Sequence, residues 1–186
     1  MRIVGGSMRG LQLADVGAGD AAAHLRPTSD RVREAVFNLL INGRQGDLVR
    51  DQRVLDLFAG TGALGLEALS RGAVQVTFVD DGATARALIR ANIEKARAMG
   101  TTRLFRRDAT ALGENRGPGF GLVFLDPPYG LALGLPALRS VQGGGWLAPA
   151  ATVVWEENTP QIAPEGFTLL DQRRYGDTWV TLLRAP

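Results

Sequence analysis

The sequence contains no cysteine. This absence excludes disulfides, cysteine-ligated zinc and iron–sulfur clusters. It also excludes enzymes whose nucleophile is a thiolate. Histidine is nearly absent as well, because His24 is the only one. A single histidine cannot anchor a metal alone, so we expect no metal site.

Long apolar runs are also missing. No stretch is long enough to span a membrane, and the first residues lack the apolar core of a signal peptide. We therefore expect a cytoplasmic protein with no membrane partner.

Lysine is scarce, since Lys95 is the only one among 21 basic residues, and the formal net charge is +2. An arginine excess suits contacts with phosphates and bases, but genomic base composition produces the same bias.

The length of 186 residues is enough for one domain with a sizeable core. The hydrophobic share of 45% and the charged share of 22% are ordinary for a globular protein. No internal repeat marks a second domain. We predict a single domain over residues 1–186, with residues 1–25 forming an N-terminal β-hairpin and linker.

Residues 54–65 form the most informative stretch, Val-Leu-Asp-Leu-Phe-Ala-Gly-Thr-Gly-Ala-Leu-Gly. An apolar run predicts a buried strand, a glycine-rich turn follows, and apolar residues then recur at helical spacing. The spacing of Gly60, Gly62 and Gly65 fits the fingerprint of dinucleotide-binding folds. Asp56 argues against a pyrophosphate, because its carboxylate would repel one, and favours a cationic ligand. The stretch resembles the first motif of Rossmann-like methyltransferases that use S-adenosylmethionine. An ordinary tight turn between strand and helix is the alternative.

Two further acids follow predicted strands. Asp80 ends the second strand, twenty residues after Gly60, where such folds place a carboxylate that accepts hydrogen bonds from ribose hydroxyls. Asp108 follows the third strand, where its carboxylate can accept from an adenine amino group while the Ala109 N–H serves a ring nitrogen. A helix N-cap is an equally good interpretation of Asp108.

The stretch Asp126-Pro127-Pro128-Tyr129 follows the fourth strand. Two prolines fix a stiff, extended turn that holds the Asp126 carboxylate and the Pro127 carbonyl as acceptors. Tyr129 offers a flat ring for stacking on a base. This sequence is similar to the fourth motif of methyltransferases that act on exocyclic or amide nitrogens. A conjugated amine is a poor nucleophile, and two acceptors on its hydrogens favour a pyramidal nitrogen whose lone pair faces the methyl donor.

The pattern as a whole predicts an α/β fold of the Rossmann-like methyltransferase type. We expect a mostly parallel seven-stranded sheet with an antiparallel edge strand, preceded by an N-terminal β-hairpin and a helix. The expected strands are 2–4 and 11–13 in the hairpin, then 53–57, 74–80, 104–106, 121–125, 151–156, 167–174 and 178–184. The expected helices run from an N-cap at 28–30 to about 41, and over 62–71, 83–99 and 134–142.

Four stretches together resemble the RsmD family, bacterial methyltransferases that act on guanine N2 in 16S ribosomal RNA. They are Arg2-Ile3-Val4-Gly5-Gly6, the run from Arg26 to Glu34 (Arg-Pro-Thr-Ser-Asp-Arg-Val-Arg-Glu), the run from Leu64 to Ala73, and Asp126 to Tyr129. The resemblance extends to Tyr175-Gly176-Asp177-Thr178, nearly the whole chain. It implies methyl transfer from S-adenosylmethionine to a guanine of the small ribosomal subunit. Because the chain has no cysteine nucleophile, we expect direct displacement. We also expect a monomer.

The resemblance also implies residue roles. The candidate catalytic residues are Asp126, Pro127, Pro128 and Tyr129. The candidate cofactor-binding residues are Asp56, Phe58, Ala59, Gly60, Gly62, Asp80, Asp81, Asp108 and Ala109. The candidate RNA-binding residues are Arg2, Arg9, Arg26, Thr28, Arg31 and Arg33, the last two on the face of the first helix away from its apolar stripe.

The chain departs from the family at two places. Leu11 stands where a basic residue often follows the hairpin glycine, which puts one phosphate contact in doubt. Asp80 stands where the family usually has Glu, with Gly82 in place of a polar residue, so ribose binding shifts to Asp81 or weakens.

Three other functions remain open. A nicotinamide dehydrogenase would use the glycine spacing but must explain Asp56. A DNA adenine N6 methyltransferase would share the Asp126 motif, but the chain has no separate target-recognition domain. A non-catalytic RNA-binding assembly factor would bind RNA and transfer nothing.

Overall fold

A computed structural model describes residues 1–15 and 28–186 of the chain. These residues form four α-helices, one short 3-10 helix and seven strands. The helices are α1 (Asp30–Asn42), α2 (Ala63–Ser70), α3 (Ala83–Lys95) and α4 (Gly134–Gly143). The strands are β1 (Arg53–Leu57), β2 (Gln75–Val79), β3 (Thr102–Phe105), β4 (Phe120–Leu125), β5 (Leu147–Glu157), β6 (Thr168–Tyr175) and β7 (Thr178–Arg184).

The strands form one sheet in the order β3-β2-β1-β4-β5-β7-β6. Strands β1 to β5 pair in parallel, and β7 runs antiparallel to both β5 and β6. This arrangement confirms the predicted α/β fold and its antiparallel edge, which the β6–β7 hairpin forms with β6 outermost. The strand order changes direction between β1 and β4, the point where folds of this kind bind ligands.

Apolar side chains cover both faces of the sheet, because successive residues of a strand point to opposite sides. Val54 packs in the core under α1, α2 and α3, whereas its neighbour Leu55 packs in the core under α4. The near-continuous apolar runs of β1 and β4 follow from this burial on both faces. In the described part of the chain, no helix is long and apolar enough to cross a membrane.

Several predicted boundaries need correction. The predicted N-terminal strands 2–4 and 11–13 are a single antiparallel bridge between Arg2 and Gln12, flanked by a hydrogen bond from the Ile3 N–H to the Leu11 carbonyl at 3.0 Å. Helix α3 ends at Lys95 rather than at 99, because Arg97 has a left-handed φ of 51° and the Ala98 N–H turns back to the Ile93 carbonyl. Strand β5 begins four residues before 151.

The N-cap prediction for α1 is confirmed at Ser29, whose hydroxyl accepts from the Val32 N–H at 3.2 Å. The predicted linker around 14–23, together with His24 and Arg26, lies for the most part outside the described residues.

Candidate active site

A cavity of about 810 Å³ opens at the carboxyl ends of β1, β2, β4 and β5. Every predicted catalytic residue lines it, and so do all the predicted cofactor-binding residues except Gly62. The lining residues among them are Asp56, Phe58, Ala59, Gly60, Asp80, Asp81, Asp108, Ala109, Asp126, Pro127, Pro128 and Tyr129. Motifs that lie up to 73 residues apart in the sequence therefore meet at one site, because parallel strands deliver their carboxyl ends to the same edge of the sheet.

The glycine-rich turn joins β1 to α2 through left-handed backbone. Gly60 and Gly62 have φ values of 58° and 77°, and Phe58 shares this conformation at 56°. Gly65 is required for a different reason, because a Cβ there would lie 2.4 Å from Cε1 of Phe78 and 3.0 Å from Oδ2 of Asp56. The third glycine therefore allows α2 to pack against the sheet.

Asp56 is only 1% exposed, and its Oδ2 accepts a hydrogen bond from the Gly65 N–H at 2.9 Å. Burial raises the pKa of Asp56 well above its ordinary value of 3.8, and the nearby carboxyls of Asp126 and Asp80 raise it further. The Asp56 carboxyl thus holds the start of α2 as well as lining the cavity. A bound cation would favour its ionised form.

The Asp80 carboxylate links two loops through hydrogen bonds. Its Oδ2 accepts from the Gly60 N–H and its Oδ1 accepts from the Gly82 N–H, both at 2.9 Å. Burial raises the pKa of Asp80 above its ordinary value even though these two N–H donors lower it. The neighbouring Asp81 is exposed and also lines the cavity.

Asp108 caps a short 3-10 turn at Ala109–Ala111. Its Oδ1 accepts from the Thr110 N–H at 2.8 Å and from the Thr110 hydroxyl at 2.7 Å. The N-cap interpretation is therefore confirmed. The cap leaves Asp108 exposed and on the cavity wall, so a ligand contact is compatible with it.

The motif after β4 contacts two distant elements. The Thr28 hydroxyl donates to Oδ2 of Asp126 at 3.4 Å, across 98 residues of sequence. The Tyr129 hydroxyl is hydrogen-bonded to the Thr178 hydroxyl at 3.1 Å. Thr28, predicted as an RNA contact, therefore lies inside the cavity beside Asp126.

Two groups on the cavity wall were not predicted as site residues. One is the turn of the β6–β7 hairpin, Tyr175 to Thr178, which belongs to the stretches that resemble the RsmD family. The other is Glu156, which is 2% exposed at the end of β5. The sequence did contain a signal for Glu156, because an apolar run is followed there by two acids, as the run of β2 is followed by Asp80 and Asp81.

Arg33 is the main correction among the predicted RNA contacts. The prediction that it lies on an exposed helix face is wrong, since its side chain is 0% exposed. Its guanidinium donates to the Glu67 carboxylate at 3.3 Å, to the Thr28 carbonyl at 3.3 Å and to the Arg2 carbonyl. Arg33 therefore joins α1, α2 and the N-terminal segment and offers no surface for a phosphate.

The remaining predicted RNA contacts differ in exposure. Arg2, Arg9 and Arg31 are exposed, and Arg26 lies outside the described residues. Arg2 also makes a surface ion pair with Asp30, with 3.4 Å between Nε and Oδ2. Among residues 1–15 and 28–186, no group of three or more His, Asp or Glu side chains is arranged to hold a metal ion.

The chain is similar to known proteins in both sequence and structure. A family model described as Conserved hypothetical protein 95 matches residues 1–184. The chain is 37% identical over 173 residues to ribosomal RNA small subunit methyltransferase D of Escherichia coli K12, covering 91% of this chain and 82% of that protein. The solved structure of yhhF from Escherichia coli superimposes with a TM-score of 0.83 at 32% identity, over 100% of this chain and 97% of that one.

A more distant structure shares the fold alone. SMU.776, solved in complex with SAH, has a TM-score of 0.65 at 19% identity, over 82% of this chain and 49% of that one.

Proposed function

This chain belongs to the Conserved hypothetical protein 95 family, the family of the RsmD methyltransferases, and from that premise we propose that it methylates N2 of a guanine in 16S ribosomal RNA. The observation that carries the proposal is the meeting of Asp126-Pro127-Pro128-Tyr129 with the glycine-rich turn in one cavity. A methyl-donor site and an amine-holding motif are the two parts that amine methylation requires. The substrate class comes from the curated relatives, which are named for the small-subunit RNA.

The cavity fits a cationic cofactor. Seven acidic residues line it, and burial raises the pKa of three of them, Asp56, Asp80 and Glu156. The other four are Asp81, Asp108, Asp126 and Asp177. Such a site disfavours a pyrophosphate and favours a ligand with an ammonium and a sulfonium. S-adenosylmethionine, when bound, supplies a methyl group whose transfer to N2 leaves S-adenosylhomocysteine and releases one proton from N2. These charges argue against the dehydrogenase alternative.

Individual residues then take defined roles toward the cofactor. The turn with Gly60 and Gly62 would hold the methionine part, beside the N-terminus of α2. Asp80 or Asp81 accepts hydrogen bonds from the ribose hydroxyls. Asp108 and Ala109 lie beside the adenine, and the capping bonds of Asp108 hold its carboxylate in a fixed orientation.

The Asp126 carboxylate and the Pro127 carbonyl accept hydrogen bonds from the N2 hydrogens of the guanine. This holds the lone pair toward the methyl donor and stabilises the positive charge that develops on nitrogen. The Thr28 hydroxyl donates to Oδ2 of Asp126 and so helps to orient the carboxylate that meets the amine. A guanine paired in folded RNA must first be flipped out, and the Tyr129 ring then stacks on it.

The RNA lies across the N-terminal segment and α1, where Arg2, Arg9 and Arg31 are exposed. Arg26 precedes this surface in the sequence. Phosphate contacts by these arginines make binding weaken as salt rises. We further propose that the protein acts on this RNA in the cytoplasm, as a single domain and as a monomer.

The test is methyl transfer from radiolabelled S-adenosylmethionine to unmodified small ribosomal subunits, naked 16S RNA and DNA. Asp126→Ala is compared with the wild type and with Glu94→Ala, a control on the exposed face of α3. We expect label on subunits that digests to N2-methylguanine, with Asp126→Ala at least about 100-fold slower and the control unchanged.

Each other outcome overturns a stated part of the proposal. Label on DNA adenine would assign the DNA methyltransferase function. Binding of the cofactor and of RNA without transfer to any substrate would assign the assembly-factor function.

A further inference from the structure

Glu156 is a buried acid with an unused oxygen on the wall of the cavity. Its side chain is 2% exposed, and its Oε1 has no hydrogen-bond partner among residues 1–15 and 28–186. Leaving a buried polar oxygen without a partner costs free energy, so such groups in folded proteins are usually paired or used by a ligand. Because Glu156 lines the cavity, a ligand there can satisfy it.

The sheet register places Glu156 beside Asp126. Leu125 of β4 pairs with Trp155 of β5, and the two acids are the residues that follow this pair. Neighbouring strands lie about 4.8 Å apart, so the two carboxyl groups stand side by side at the same edge of the sheet. A planar ligand whose amino group is held at Asp126 would therefore present its next polar atoms to Glu156.

The surroundings of Glu156 favour its neutral form. Burial raises its pKa well above the ordinary 4.5, and the carboxyls of Asp126 and Asp56 raise it further, whereas Arg33 lowers it. A neutral carboxyl group has one O–H donor and one carbonyl acceptor in the same plane. That pair is complementary to a ring that offers one acceptor and one N–H side by side.

We propose that Glu156 recognises the O6 and N1–H edge of the target guanine while Asp126 holds the N2 amino group. This inference rests on the proposed function and identifies the residue that selects the base. Along guanine the order of groups is O6, N1–H and N2, so the Glu156 carbonyl accepts from N1–H and its O–H donates to O6. Adenine with its amino group at Asp126 would present an unprotonated N1 and then a C–H, and would lose the paired contact.

The test compares two variants on two substrates. Glu156→Gln keeps a carbonyl acceptor and an N–H donor in the same positions, and Glu156→Leu keeps the volume without polar atoms. The substrates are reconstituted small subunits that carry either guanosine or 2-aminopurine at the nucleotide that the wild type methylates. 2-Aminopurine retains the N2 amino group but lacks O6 and the N1 hydrogen.

We expect the wild type to prefer guanosine by at least about 10-fold in kcat/KM, because a site built for a donor and an acceptor rejects an analogue that lacks them. Glu156→Gln keeps this preference. Glu156→Leu methylates guanosine at least about 10-fold more slowly, and its preference falls to near 1. Calorimetric binding of S-adenosylhomocysteine by both variants shows that the cavity is folded.

Two results would overturn the inference alone. In the first, Glu156→Leu keeps the wild-type preference for guanosine. In the second, Glu156→Gln loses that preference as fully as Glu156→Leu does, which would show that Glu156 acts as an ionised acceptor and not as a neutral acid. A wild type that labels no guanosine subunit would instead overturn the proposed function, and the inference with it.

Discussion

Arg33 and Glu67 form an ion pair of 3.3 Å between Nε and Oε2, and neither side chain is exposed to solvent. Glu67 also accepts from the N–H groups of Val4 at 2.9 Å and Gly5 at 2.8 Å, and from Nε of Arg71 at 2.8 Å. One carboxylate in α2 therefore fixes the N-terminal segment, the first helix and the end of its own helix. The segment that we propose to touch RNA is thus tied directly to the scaffold of the cofactor site.

Glu67→Gln should destabilise the protein strongly. The amide removes the negative charge and turns one acceptor into a donor that faces other donors. The buried Arg33 guanidinium then keeps only the partly exposed Asp30, at 2.8 Å, as a carboxylate partner. Breaking such a pair costs about 3–5 kcal/mol in the free energy of unfolding. Urea denaturation measures the effect, and Glu34→Gln on the exposed face of α1 is the control. A loss no larger than that of the control would show that the pair contributes nothing.

The wrong prediction for Arg33 shows that helical spacing alone does not reveal when a charged residue is buried. Residues 33, 36, 37 and 40 share one face of a helix, and all four are buried. The spacing alone therefore allowed a buried position. An arginine is normally exposed unless it is paired, and its partner Glu67 lies 34 residues away, which no periodicity reveals.

The acids of the cavity were easier to predict. Asp56 lies near the end of a predicted buried strand, Asp80 and Asp126 follow two others, and parallel strands bring their ends together. Glu156 was not predicted as a site residue, although its strand was. Its position beside Asp126 depends on the pairing of β5 with β4, which the sequence pattern does not reveal. The turn of the β6–β7 hairpin was missed for the same reason, since only the folded sheet brings Thr178 to Tyr129.

Stability should fall as pH rises through the range where Glu156 titrates. The pKa of Glu156 in the folded state lies well above the ordinary 4.5. Between the ordinary pKa and the folded pKa, the folded state therefore holds a proton that the unfolded state has released. The free energy of unfolding then decreases with pH until the folded pKa is reached. Glu156→Gln removes this dependence, so the wild type should lose more stability than the variant between pH 5 and about pH 8. Urea denaturation at both pH values checks it, and equal losses would contradict the neutral state of Glu156.

Gly65→Ala should disturb the base of the cofactor site. The new methyl group would lie 2.4 Å from the Phe78 ring and 2.7 Å from Cγ1 of Val76, so α2 must shift away from the sheet. Overpacking of this kind costs about 1–3 kcal/mol in stability. Thermal denaturation with and without S-adenosylhomocysteine measures both stability and binding. Gly143→Ala in α4 is the matched control, since a Cβ there meets open space, and a similar result for the two variants would contradict the packing argument.

Asp80 and Asp81 compete for the role of ribose ligand, and their contacts favour Asp80. Its carboxylate already bonds Gly60 and Gly82, which fixes its orientation, whereas Asp81 is exposed. We expect Asp80→Asn to raise the Kd for S-adenosylhomocysteine at least about 10-fold, which corresponds to about 1.4 kcal/mol. Asp81→Asn should raise it by less than about 3-fold. Calorimetry decides, and the reverse order would move the ribose contact to Asp81.

Tyr129 combines a ring for stacking with a hydroxyl that bonds Thr178 at 3.1 Å, and the two contributions can be separated. Tyr129→Ala removes the ring, and base stacking is worth about 1–3 kcal/mol, so kcat/KM for the RNA substrate should fall by about 5-fold to 150-fold. Tyr129→Phe keeps the ring and loses only the hydroxyl bond, so its loss should stay below about 5-fold. Thr178→Val removes the same hydrogen bond from the other side and should match Tyr129→Phe. If Tyr129→Phe instead lost as much as Tyr129→Ala, the hydroxyl and not the ring would hold the substrate, and the target base would not stack on Tyr129.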